Sequence, residues 1–260
     1  MDYPIEMGMI PYNELEHLGL EQRMIDDLPQ GAIDNLLFSR PSPLLSLSMK
    51  DHNGEQRNFH GRIILAVFGE GDNEELHVLV VPKMKEATGL EEFDDDEQRH
   101  LIDGNVLKYE DENGMNFIQF DNVTNQVCRA NAAAIDYNIS VMTDNTRNRK
   151  YFNDENVEML REGRHITIRD EDGKGQCTIG IDLLTPTGLR VAAGNEDSWR
   201  EQRNTDNLNR YNFGLYGCWT LNPDDSLSYT TEEEYSEEMS KAHEAILNRE
   251  QGRSRQQTVS

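Results

Sequence analysis

Between residues 13 and 38 apolar side chains recur every three or four positions. Leu15, Leu18 and Leu20 come first, then Met24, Ile25 and Leu28, then Ile33, Leu36 and Leu37. That spacing is helical, and breaks at Gly19 and at Pro29-Gln30-Gly31 cut it into short helices, because proline ends whatever helix precedes it. Arg40-Pro41-Ser42-Pro43 then forces an extended exit. Leu44, Leu45 and Leu47 lead to the hairpin signal His52-Asn53-Gly54. A strand over 62–68, a turn over 69–73 and a return over 76–81 complete the pattern. Residues 13–82 therefore predict helices followed by a three-stranded meander.

The middle of the chain says one thing twice. Residues 93–127 and 152–191 align so that Phe93 falls on Phe152, Leu101 on Leu160, Gly104 on Gly163, Asp111 on Asp170 and Gly114 on Gly173, each 59 positions apart. Asp121 then falls on Asp182 and Thr124 on Thr185, 61 apart, so the second copy carries two extra residues before its last strand. Matched turns at such a period mark an internal repeat of one supersecondary unit. Each copy predicts a helix opened by carboxylates (Asp94-Asp95-Asp96-Glu97; Asp154-Glu155). A glycine then ends the helix, a hairpin turns at 111–114 or 170–173, and an Asp stops the second strand. Residues 128–150 are less patterned, with a helical turn at 130–134 and a polar loop at 143–150.

Past the repeats, 194–210 reads as a loop or surface helix around Trp199. The aromatic stretch 211–221 (Tyr211, Phe213, Tyr216, Trp219) reads as a strand or irregular segment packed on the rest. Thr230 or Thr231, with Glu233 or Glu234 three residues on, is a capping box that opens a helix over 232–249. Its Tyr235, Met239, Ala242 and Ile246 form one apolar stripe. Residues 251–260 have little to bury and are expected to be disordered. The organisation that follows is α+β. It has a helical and meander unit (10–85), two helix–β-hairpin repeats (93–150 and 151–193), an aromatic segment with a C-terminal helix (194–250) and a tail.

Composition changes this picture mainly through charge. The chain has 49 acidic and 25 basic residues among 260, a formal net charge of −24. Such a field repels phosphate backbones, so direct nucleic-acid binding is not expected. Two explanations of the acidity stand: a solvated surface, or carboxylates arranged as a mimic of DNA that occupies a DNA-binding protein. An acidic start without a long apolar run argues against a signal peptide or a membrane span, and three scattered cysteines against a disulfide framework. The expected location is cytoplasmic.

Candidate chemistry is sparse. Read as calcium loops, Asp170–Gly175 and Asp111–Gly114 put Ile168 and Ile179, or Tyr109 and Phe120, at the two positions where carboxylates are required. Hairpin tips explain them better. The seven histidines show no zinc spacing, and no nucleophile elbow, Walker loop or dinucleotide glycine motif is present. Cys128 and Cys177 read as small apolar fillers. Asp121-x-x-Thr124 and Asp182-x-x-Thr185 suit Asx-turns that end a strand. No catalytic, metal or cofactor site is expected, and a non-enzymatic role follows. The surface assigned to a protein partner comprises Tyr211, Phe213, Tyr216, Trp219, Tyr235 and Met239.

Over residues 10–195 the chain resembles a family of uncharacterised repeat domains encoded on conjugative and other mobile elements of gut Bacteroidetes. The likeness lies in Leu36-Leu37 before the first hairpin, in the L-x-x-G of Leu101–Gly104 and Leu160–Gly163, and in the D-x-x-T-N of Asp121–Asn125. Asp182–Thr185 departs from it by placing Pro186 next. The resemblance implies a context, an accessory protein of a mobile element or phage, and no mechanism. An interaction scaffold of that kind is the expected function, with the acidic DNA mimic as the alternative.

Overall fold

A computed structural model describes residues 4–69, 74–112, 114–169, 175–202 and 205–257, with side chains to 249. The first helices are α1 (Tyr12–Glu16), α2 (Gln22–Asp26) and α3 (Gln30–Leu37). Gly19 (φ +76°) ends the first of them, where the Leu20 amide returns to the Leu15 carbonyl at 3.0 Å. This left-handed exit suits glycine, which has no Cβ to clash. The expected meander follows as β1 (Leu45–Lys50), β2 (Gln56–Phe68) and β3 (Glu75–Pro82). Leu45, Leu47, Ile63 and Leu65 alternate onto one face and bury against Leu15, Leu20, Ile25 and Leu36 of the helices. That is the period-two pattern of a half-buried sheet meeting an amphipathic layer.

The repeats contain the expected helix and hairpin, and each adds a third strand. The first is α4 (Asp95–Ile102), β4 (Val106–Asp111), β5 (Gly114–Asp121) and β6 (Gln126–Asn131); the second is α6 (Asp154–Arg161), β7 (Ile166–Arg169), β8 (Gln176–Ile181) and β9 (Leu189–Ala193). Asp94 caps α4 by accepting from the Asp96 and Glu97 amides, both at 2.9 Å, and Asn153 caps α6 through the Asn156 amide at 2.8 Å. Leu101 and Leu160 are fully buried, and Gly104 and Gly163 leave the helices at φ +81° and +82°. The hairpin tip expected at 170–173 lies outside the described residues, as does Asn113 of the earlier one.

The second strands end at Asp121 and just before Asp182, as expected, and each Asp starts a tight turn into a third strand. Between the repeats, the stretch expected to be a short helical turn and a polar loop is the end of β6 followed by a full helix, α5 (Ala132–Asp144). Ile135 and Ile139 of α5 are buried while Tyr137 and Val141 are exposed, so apolar residues on both faces blur the helical period in the sequence.

Helices and sheets alternate along this region. Leu101 of α4 packs with Ile118 and Phe120 on one face of β5. Phe117, on the opposite face, joins Ile135, Ile139 and Leu160 of α5 and α6 and Ile166, Ile179 and Ile181 of the second repeat. Beyond β8 lies α7 (Glu196–Glu201), whose Trp199 is buried beside Gly180; a Cβ on Gly180 would sit 3.0 Å from the indole. The expected surface element around Trp199 is thus a helix anchored by that tryptophan.

The C-terminal segment does not stand apart from the N-terminal unit. Its strands β10 (Tyr211–Phe213), β11 (Gly217–Leu221) and β12 (Leu227–Thr231) extend the first sheet, in the order β10-β11-β12-β1-β2-β3. β12 runs parallel to β1, with Leu227 beside Leu45, and Trp219 and Leu227 lie in the same core as the N-terminal helices. The division into 10–85 and 194–250 therefore gives way to one sheet, with both repeats inserted between β3 and β10.

The last helix, α8 (Glu237–Gln257), starts later and ends later than expected. The bond between Thr231 and Glu234 (3.0 Å) serves a short 3-10 turn over 232–234, and Ser236 accepts the Met239 amide at 3.2 Å where α8 begins. The helix continues through most of the expected disordered tail, whose last residues, 258–260, lie outside the described ones. Among the described residues no helix is long and apolar enough to cross a membrane.

Candidate functional site

Asp27 follows α2, is 5 % exposed, and points its carboxylate into the turn between β10 and β11. One oxygen accepts the Leu215 amide at 2.6 Å, and the other accepts the Tyr216 amide at 2.9 Å and the Tyr229 hydroxyl at 2.6 Å. Burial first, and then this bond to Asp27, push the Tyr229 phenol well above its ordinary value, so it stays a neutral donor. The fit leaves no room for side chains on the two flanking glycines. A Cβ on Gly214 would lie 2.2 Å from Asp27 Cγ, and one on Gly217 would lie 2.5 Å from the Tyr229 ring. Gly214-Leu215-Tyr216-Gly217 is accordingly a turn clamped from beneath. Leu215 is 79 % exposed and Tyr216 47 %.

The six residues expected to meet a partner separate into four groups. Trp219 is a core residue, fully buried, donating its indole N–H to the Met24 carbonyl at 2.8 Å and packing edge-on against Tyr229. Phe213, Tyr235 and Met239 form a joint between α8 and β10. Phe213 stacks on His243 at 4.6 Å and meets Tyr235 edge-on at 5.6 Å, while Met239 is buried, which seats α8 on β10. Tyr211 is half-buried beside Phe213, under the Arg210 guanidinium. Tyr216 alone projects outward. Its neighbour Leu215 was missed, although the Gly-x-x-Gly frame around the pair is visible in the sequence.

The repeat turns hold the insert onto the first sheet. Arg62 of β2 grips Asp121 with two bonds, Nε to Oδ2 at 2.7 Å and a terminal nitrogen to Oδ1 at 3.2 Å, and donates a third to the Ser42 carbonyl at 2.8 Å. Burial pushes the Asp121 carboxyl up, and the Arg62 charge outweighs it together with bonds from Thr124 and Val123, leaving it below the usual carboxylate range. Asp182 accepts the Leu184 amide at 3.0 Å and faces Arg190 Nε at 3.1 Å, without the angle of a hydrogen bond. Asn35 reaches from α3 to the Leu184 carbonyl at 3.0 Å. Both D-x-x-T turns are thus structural joints.

Elsewhere the charged groups serve the fold. A groove of about 620 Å³ between the repeats is lined by His100, Asn105, Lys108, Arg164, His165 and Arg200. Lys108 donates to the Arg161 carbonyl at the end of α6, and Arg200 donates to the Asp103 carbonyl just after α4, where helix carbonyls lack partners of their own. Burial pushes the Cys128 thiol up to about 12, with nearby Asp121 adding to it, which removes its nucleophilic form at neutral pH. Among the described residues no three His, Cys, Asp or Glu side chains converge as metal ligands. No family model matches the chain, and no curated protein or solved structure matches it.

Proposed function

We propose that the protein is a non-enzymatic interaction scaffold that presents Leu215 and Tyr216 to a protein partner. One observation carries this reading: two large side chains stand in solvent on a turn whose backbone is fixed by the buried Asp27 carboxylate. A turn left merely flexible would need no such clamp, and a rigid anchor loses little conformational entropy when it docks. Aromatic and apolar anchors of this kind dominate protein interfaces. An accessory role in a mobile element or phage, in the cytoplasm, is the setting the resemblance implies.

The acidic DNA mimic is the competing reading. Many carboxylates have local tasks that account for their presence: Asp94 caps a helix, Asp51 holds a hairpin turn, and Asp27, Asp121 and Asp182 are buried joints. The test is capture from the native host by the full chain and by a Leu215→Ser/Tyr216→Ser variant, read by mass spectrometry. Loss of a discrete protein with the variant supports the scaffold. Undiminished capture of a DNA-binding protein by the variant, steeply weakened by salt, supports the mimic.

A further inference from the structure

Each D-x-x-T turn has an arginine on its aspartate, and the two arginines come from different places. Arg62 of β2 reaches across to Asp121, whereas Asp182 faces Arg190 of its own repeat. The N-terminal unit also sends an arginine to the second turn. Arg40 follows α3, and one terminal nitrogen lies against Gly188, where a Cβ would sit 3.6 Å from it. Among the described residues this side chain makes no ion pair and no hydrogen bond, although the residue is half-buried. Of its three nitrogens only Nε is both buried and unmet, so the terminal pair opens to solvent. Burial pushes the Arg40 pKa down with no carboxylate to offset it, whereas Asp182 and Asp206 offset it for Arg190. An unpaired cation is costly to bury, and it is unexpected in a chain with 49 acidic residues against 25 basic. The backbone beneath it is fixed. Ser39 leaves α3 at φ +54°, a left-handed conformation uncommon outside glycine. The Arg40 amide donates to the Asn35 carbonyl at 2.7 Å, and the Asn35 side chain donates to the Pro41 and Leu184 carbonyls at 2.9 and 3.0 Å.

We propose that Arg40 binds a small carboxylate from solution at this turn, in the role that the Asp121 side chain has on Arg62. The first joint supplies its own acid to the arginine of the N-terminal unit. At the second, Arg190 has taken the equivalent acid, Asp182, and Arg40 is left with a place for one. A guanidinium balances a single negative charge, and its planar fork fits the two oxygens of a carboxylate. A phosphate dianion or a nucleic acid would add uncompensated charge to a field of −24. Bound there, the carboxylate would tie α3 to the Thr185–Gly188 turn and strengthen the hold of the second repeat on the N-terminal unit. The site is separate from the Leu215–Tyr216 turn and does not depend on a protein partner.

Titration of the isotope-labelled full chain with sodium acetate at neutral pH, up to about 100 mM with chloride holding the ionic strength constant, reads the site by nuclear magnetic resonance. The Arg40 Nε–H signal, identified by its loss in Arg40→Lys, should move saturably while that of Arg62 stays in place. At about ten times its dissociation constant, acetate should raise the melting temperature by about 3 °C over chloride. Inorganic phosphate at equal ionic strength should raise it less. Arg40→Met should abolish the acetate effect. In chloride alone Arg40→Met should melt no lower than the native chain, because it removes an unpaired cation. An Arg40 signal unmoved at the highest acetate concentration overturns the proposal, and so does an acetate effect that Arg40→Met retains. Phosphate binding more tightly than acetate overturns the choice of a carboxylate. A large loss of stability from Arg40→Met in chloride would show a guanidinium already satisfied by the fold, and overturns it as well.

Discussion

Replacing Arg62 by methionine should expose how firmly the insert is held to the first sheet. The Arg62 and Asp121 side chains are 6 % and 1 % exposed, so solvent screens the pair little. Without the guanidinium, Asp121 keeps only the Val123 amide at 3.1 Å and the Thr124 hydroxyl at 2.7 Å. Removing one member of a buried pair strands the other charge, at about 3–5 kcal/mol. At about 2 °C per kcal/mol for a chain of this length, the melting temperature should fall by about 6–10 °C.

The pH dependence gives the sharper signature. In the native chain the depressed Asp121 contributes stability that is present above its unfolded value of about 3.9 and is lost as pH falls through the folded value. In R62M only the Thr124 and Val123 bonds still oppose burial, the largest of the causes, so the carboxyl rises and protonation favours the folded state. The deficit measured by urea unfolding should therefore shrink between pH 7 and pH 4. R62M/D121N removes the stranded charge and should recover about 2 kcal/mol relative to R62M. A deficit below about 1 kcal/mol, one that does not change with pH, or no recovery in the double variant would refute this account of the joint.

Three further outcomes are expected. Asp27→Ala should leave the Leu215 and Tyr216 amides and the Tyr229 hydroxyl without an acceptor, destabilising the protein by about 1–3 kcal/mol and speeding amide exchange at 215 and 216 before exchange in β1 or β2. Deleting 236–260 should open β10 to exchange through loss of the His243, Tyr235 and Met239 contacts while leaving tryptophan emission unchanged, because Trp219 is packed on Met24 and Tyr229 and not on α8; a red shift would place α8 over the tryptophan. At physiological ionic strength the chain should not inhibit restriction enzymes or other DNA-binding proteins, and nanomolar inhibition that collapses with salt would favour the mimic.

Local chemistry was readable in the sequence, and long-range pairing was not. Leu101–Gly104 and Leu160–Gly163 announced two equivalent helix ends because a glycine at positive φ closes each. The third strand of the first repeat, Gln126–Asn131, escaped because Val127-Cys128-Arg129-Ala130 lacks clean alternation. β12 lies beside β1 through a parallel pairing between distant parts of the chain, which leaves no local trace. Asp121 could be read as a turn residue, while its partner Arg62 lies 59 positions upstream. The candidate site shows the same split. Aromatic residues drew notice to 211–219, but whether each is core, joint or anchor depends on Asp27 and His243, and Leu215 carries no pattern of its own.

The central claim is that the clamped turn meets another protein, and a photo-cross-linking amino acid in place of Tyr216 tests it most directly. Irradiated in the cells that express the protein, the full chain carrying the probe at 216 should yield one discrete heterologous adduct. The same probe at Phe68, an exposed aromatic on β2, should not yield it, and Asp27→Ala should diminish it. An adduct formed equally from both positions, or none from position 216, would contradict the account.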